Sequence, residues 1–208
     1  MPSGSDQIIT PRVTRSTRAR AVMRLRRAWF RAWSARRYAS CGPGAFVDRP
    51  FLLTGTESVG LGGEVHIWPA ARIEVLVPKS SRPVIEVGQG TSIQPFLHIG
   101  AVVGVRIGQD CLFASHIYIT DHDHDWQDAD LPARLAPDLI AAPVTIGDGV
   151  WLGERVCVLK GVTIGDGAIV GAGSVVTKDI PARCIAVGSP ARVVKRWNDE
   201  TREWESVR

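Results

Sequence analysis

No run of about 18 apolar residues occurs in this chain, so the sequence contains no ordinary membrane-spanning helix. The N-terminus lacks an apolar stretch ending in a small-residue cleavage site, which argues against a secretory leader. No Cys-x-x-Cys is present; Cys41, Cys111, Cys157 and Cys184 stand far apart. That spacing speaks against a structural zinc site or a dithiol redox pair. In a chain of 208 residues it fits reduced cytoplasmic thiols better than a disulfide framework. Acid is missing locally: residues 12 to 37 hold ten arginines and neither Asp nor Glu. The whole chain carries only +4, so the remainder is at −6 and a basic arm sits on a mildly acidic body. With 45% apolar and 22% charged residues, that body is globular and not disordered.

What the body does have is a repeat. Stepping by six gives Val87, Ile93 and Ile99, then Ile107, Phe113 and Ile119, then Ile146, Leu152, Val158, Ile164, Val170 and Val176. A looser run precedes them at Leu61, Ile67 and Ile73. Glycine follows many of these directly, as at Gly88, Gly108, Gly147, Gly153 and Gly165. Four places after the leading aliphatic a small or branched residue recurs, for example Thr91, Cys111, Val150, Val162 and Ser174. Six matches neither the 3.6 period of a helix nor the alternation of a flat sheet. It describes a coil that turns a corner every six residues, with the leader pointing to the axis and a crowded or bent position after it. Three such units close a turn of roughly 18 residues, and turns stack at strand spacing, about 4.8 Å.

The phase breaks twice in the middle. The step from Ile99 to Ile107 is eight, a two-residue insertion, and that from Ile119 to Ile146 is 27. A loop must leave the coil at the second break, and loops leaving a solenoid often build its binding site. After Asp179-Ile180-Pro181 the repeat ends. Ser189-Pro190 then reads as an N-cap followed by a first-turn proline, predicting a capping helix to about Trp197.

Together the hexads, Ile146-Gly147-Asp148-Gly149-Val150-Trp151-Leu152-Gly153, the run from Ile169 to Pro181 and Val187-Gly188-Ser189-Pro190-Ala191-Arg192 resemble the hexapeptide-repeat acetyltransferases. The likeness covers about residues 60 to 197 and is greatest to the maltose, galactoside and surface-polysaccharide O-acetyltransferase branch. It implies a mainly β fold, a left-handed parallel β-helix, a homotrimer, acetyl-CoA as donor and active sites between neighbouring subunits. The organisation expected is a basic, helical N-terminal arm over 1–45 and a solenoid over 46–181 with a projecting loop at 121–143. A tail with the capping helix follows over 182–208.

Acetyl transfer to a hydroxyl needs a base, donors for the tetrahedral oxyanion and a leaving thiolate. The chain offers five histidines: His66, His98, His116, His122 and His124. The resemblance places the catalytic histidine where the coil gives way to the loop, and His122 stands there, with His124 as the alternative. Either Asp121 or Asp123 could orient the imidazole. Asp121-x-Asp123-x-Asp125 begins like a calcium loop but has Trp126 at the sixth place and Pro132 at the twelfth, which excludes it. His122, His124 and a third histidine, His98 or His116, would make a zinc set of the kind found in β-helical carbonic anhydrases, a competing reading. Cys111 occupies an inward hexad position, so direct transfer is expected over a cysteine-linked intermediate. By resemblance Ala172, Thr177, Lys178, Arg192 and Lys195 match positions that contact CoA, and Trp151 matches a tryptophan near the site or packs beside the coil. Glu154 departs from the serine common in sugar acetyltransferases.

In the arm, Val22, Leu25, Trp29 and Ala32 recur at helical spacing, flanked by Met23 and Phe30. Such a basic amphipathic helix either caps the solenoid or lies on an anionic membrane surface. No nucleic-acid reader motif accompanies its charge. The function expected is acetyl transfer from acetyl-CoA to a hydroxyl of a sugar or surface-polysaccharide precursor, with no metal. The location expected is the cytoplasm, with peripheral contact at the inner membrane face as the second option. The rival from another class is a non-catalytic β-helical scaffold; the joint presence of His122, Ala172, Thr177, Lys178 and Arg192 favours the enzyme.

Overall fold

A computed structural model describes residues 16–77 and 82–207. The part of the expected arm before residue 16 lies outside the described residues.

Three parallel sheets form the walls of a coil. The first wall runs from Ser40–Cys41 to Thr163–Ile164, the second from Phe46–Val47 to Cys184–Gly188, and the third from Leu52–Thr54 to Val175–Val176. The chain visits them in that order, turn after turn. Where nothing is inserted, the same wall is regained after 18 residues: Thr145 pairs with Thr163, Trp151 with Ile169 and Cys157 with Val175. The hexad leaders fill the axis. Ile93, Phe113, Leu152 and Val170 stack along the second wall with no exposed surface. Each such side chain contributes about 1.5–3 kcal/mol by leaving water. The residues four places on, Thr91, Cys111, Val150, Val162 and Ser174 among them, are buried as well.

Where a glycine follows a leader in the first two walls, crowding and not a bend accounts for it. Gly88, Gly108, Gly147, Gly153 and Gly165 all keep ordinary negative φ. A Cβ on Gly153 would lie 2.6 Å from the backbone nitrogen of Ala172, one turn on. Gly153→Ala should therefore push two rungs apart and destabilise the fold by about 1–3 kcal/mol, read as a lowered denaturation midpoint. An unchanged midpoint would mean that the rungs yield freely.

The smaller phase break lengthens the corner between His98–Ala101 and Val105–Ile107. The larger one departs as an antiparallel hairpin, His122–His124 against Leu139–Ala141. The C-terminal expectation fails. Instead of a helix after Ser189-Pro190, a strand Ala191–Asn198 folds back antiparallel onto Cys184–Gly188, and Glu203–Ser206 pairs with it in turn. The turn holds a cis Ser189–Pro190 bond. The Ser-Pro pair reads as a cap only locally. The last rung of the second wall presents unpaired backbone groups, and the β-branched Val193 and Val194 suit a strand that satisfies them.

The N-terminal helix, Thr17–Trp29, starts on Ser16, whose hydroxyl accepts from the Ala19 amide at 3.2 Å. It continues through a π turn, Phe30–Ser34, and a 3-10 turn, Ala35–Arg37. It covers the first rungs of the solenoid, with Phe30 buried edge-on to Phe46 and Met23 packed beside the core. The residues that make this contact are not the stripe Val22, Leu25, Trp29 and Ala32; all four are exposed. Met23 and Phe30, which flank that stripe, pack inward instead.

Candidate functional site

The corner where the third wall ends carries the most organised polar cluster. Strand Tyr118–Thr120 delivers Asp121 into the interior, fully buried. A buried carboxylate needs donors or it loses its charge. Asp121 has four. The amides of Val102, Val103 and Gly104 donate to it at 2.9, 2.8 and 2.7 Å. The fourth is Nδ1 of His122, 3.0 Å from Oδ1. The three amides lie in the corner between His98–Ala101 and Val105–Ile107, which the two-residue insertion lengthens, and that longer corner wraps the carboxylate.

Because an ionised carboxylate only accepts, Nδ1 of His122 carries the proton and Nε2 is left as an acceptor. Nε2 has no hydrogen-bond partner among the described residues. The ring lies over Gly100, paired with Thr120 on the neighbouring rung; a Cβ there would come within 3.2 Å of Cε1. The side chain is 14% exposed, so it is held but reachable. Asp123 plays a different part. It pairs with Lys160 at 2.7 Å and ties the hairpin to the next turn of the coil. His124, opposite Leu139 on the hairpin, is exposed, and its side chain makes no hydrogen bond among the described residues.

Below His122 the outward side of the third wall carries Arg72, His98, Tyr118 and Cys157 in register. Glu74 contacts Arg72 and stands 3.4 Å from His98 Nε2. The Arg72 hydrogen bond holds the Glu74 carboxyl below the usual carboxylate range. Burial, then the Arg72 charge, lowers the imidazole of His98 against the opposing pull of Glu74. His116 lies on another corner, stacked on Phe96 at 4.7 Å and 3.6 Å from Glu154. Among the described residues no group of three His, Cys, Asp or Glu side chains is placed to share a metal ion. Cys111 is buried inside the coil, its thiol pushed up chiefly by that burial.

The six remaining residues singled out from the sequence are all exposed, but one chain does not gather them around His122. Thr177 and Lys178 follow Val175–Val176 at the same corner as His122, two rungs further along the third wall. Trp151 lies on the second wall, and Ala172 sits on the corner beyond that wall, between Gly171 and a Gly173 with φ +71°. Arg192 and Lys195 belong to the returning strand that widens the second wall. Sequence reasoning left Asp121 and Asp123 equal and missed Lys160 and the amides of residues 102–104. The step of eight was the available signal for those amides.

Residues 143–178 match the family of bacterial transferase hexapeptides (six repeats). A relative from Escherichia coli K12 named for lipopolysaccharide biosynthesis O-acetyl transfer, WbbJ, is 41% identical over 132 residues, 61% of this chain and 67% of its own length. Among solved structures, a galactoside acetyltransferase in complex with coenzyme A is 29% identical, with a TM-score of 0.56 over 70% of this chain and 68% of that one. A hexapeptide-repeat acetyltransferase from Vibrio cholerae complexed with acetyl coenzyme A has a TM-score of 0.63 at 22% identity, covering 87% of this chain and 85% of that one. The coil is a left-handed parallel β-helix of the kind these structures share.

Proposed function

The chain belongs to the hexapeptide-repeat acetyltransferase family, and from that premise we propose that it moves an acetyl group from acetyl-CoA to a hydroxyl of a sugar or surface-polysaccharide precursor. The observation that carries the mechanism is the contact of the buried Asp121 carboxylate with the reachable His122 ring. His122 Nε2 takes the proton of the acceptor hydroxyl as its oxygen attacks the thioester carbonyl. The carbon–sulfur bond then breaks, and the imidazolium returns the proton to the departing CoA thiolate. Asp121 holds the tautomer and stabilises the transient positive charge on the ring. No cysteine takes the acetyl group in this scheme. The polar column of Arg72, Glu74, His98 and Tyr118 next to His122 offers donors and acceptors suited to a polyhydroxyl acceptor.

The residues matched to CoA contacts fit an extended anionic donor. Gly171-Ala172-Gly173 presents bare backbone at a corner where a Cβ on Gly173 would meet nothing within 4 Å. Lys178, Arg192 and Lys195 are exposed cations suited to phosphates. Trp151, Ala172, Arg192 and Lys195 lie on the second wall and its margins, away from the corner of His122. A complete site therefore needs the second wall of another copy brought to this corner. Such a head-to-tail contact gives a closed ring when its rotation closes, and a ring of three copies is the assembly in this reading. The four unbridged cysteines accord with a cytoplasmic setting.

Acetyl-CoA consumption measured across a panel of sugar acceptors tests the reading; turnover with none of them would count against it. Calorimetry provides a second test. CoA binding is expected to weaken with salt and to fall roughly three- to tenfold in Arg192→Ala or Lys178→Ala. No CoA binding to the folded protein would favour the non-catalytic scaffold.

A further inference from the structure

The N-terminal helix carries two apolar stripes, and the solenoid uses one. Met23 and Phe30 turn inward, and Arg26 between them reaches the buried Asp48 at 3.6 Å. The other stripe, Val22, Leu25, Trp29 and Trp33, faces away from the core. Leu25 is 72% exposed, Trp29 63% and Trp33 71%. Beneath this stripe lies a groove of about 910 Å³, where Leu25, Trp29 and Phe30 face Phe46 and Leu53 of the first rungs. Tyr38 lines it too, and among the described residues its buried hydroxyl has no hydrogen-bond partner. Phe51, beside Pro50 on the rim, is 79% exposed. Contiguous exposed apolar surface of this kind marks an interaction site.

Charge says what the partner is. Between residues 16 and 37 stand eight arginines and no acid. Among the described residues only Arg26 of these eight pairs with a carboxylate. A second copy docked through the same surface would bring two such clusters together. Strong positive charge beside tryptophan and leucine is the chemistry of an anionic lipid interface.

We propose that this end of the solenoid docks on an anionic phospholipid leaflet. Leu25, Trp29, Trp33 and Phe51 enter the boundary between headgroups and acyl chains, the groove receives an acyl chain, and the arginines meet lipid phosphates. The inference does not rest on the acetyl-transfer reading, because all the residues assigned to catalysis and CoA lie beyond position 120.

Full-length protein should co-sediment with vesicles of phosphatidylcholine mixed with phosphatidylglycerol, but not with phosphatidylcholine alone, and added salt should weaken the binding. Trp29→Ser with Trp33→Ser, and separately Arg20→Gln with Arg24→Gln and Arg31→Gln, should each lower partitioning about tenfold or more. Acetyl transfer to a soluble acceptor should be unchanged in both. Wild-type protein that ignores anionic vesicles, or variants that bind as the wild type does, would overturn the proposal. So would loss of the oligomer in the tryptophan variant by light scattering, which would assign the stripe to a contact between copies.

Discussion

His122→Ala should lower turnover by about 10² to 10⁴-fold, the usual loss for a missing general base. The protein should remain folded and oligomeric, because the ring is held at the surface of a corner and is no part of the axial core. CoA binding should persist, since the proposed phosphate contacts, Lys178, Arg192 and Lys195, are side chains other than His122 and stand on other rungs. Steady-state kinetics beside size-exclusion chromatography and CoA calorimetry separate these outcomes. His124→Ala serves as the control, with activity within a few-fold of wild type. Full activity in His122→Ala with loss in His124→Ala would exchange the two roles and leave the Asp121–His122 pair as a structural tie.

Asp121→Asn should cost nearly as much activity with little loss of fold. Oδ2 of Asp121 accepts from Val103 and Gly104, while Oδ1 faces the His122 ring. An asparagine can place its carbonyl oxygen toward those two amides and its NH₂ toward the ring. It then donates to Nδ1, forces the proton onto Nε2 and removes the acceptor that takes the substrate proton. A loss of about 10² to 10⁴-fold in kcat is expected, with a modest shift in the melting temperature. Asp121→Ala behaves differently. It strands three amide donors at a buried site, each costing about 1–3 kcal/mol, so it should destabilise the protein as well as inactivate it. Asp121→Asn retaining full activity would show that this pair does not set the tautomer.

The repeat made the solenoid legible because a six-residue corner demands an aliphatic leader at every turn, and one-dimensional order survives in one-dimensional text. The same regularity made its breaks legible. The step of 27 announced the hairpin that leaves after Ile119, and the step of eight announced an insertion after Ile99. The role of that insertion was not legible, since Gly104 and Asp121 are 17 positions apart and meet only because one turn of the coil stacks on the next.

By itself, then, the sequence determined the wall-forming hexads, the corner that releases His122 and the basic character of the arm, because each depends on local spacing or composition. Tertiary structure decided what depends on an edge or a neighbouring rung. It made Asp121 the partner of His122 because three amides of the previous turn stabilise a buried charge there. It turned Ser189-Pro190 into a hairpin, because the open edge of the second wall required a strand. It also chose Met23 and Phe30 over the Leu25–Trp29 stripe, since Phe46 at the tip of the solenoid offers Phe30 a ring to pack against edge-on.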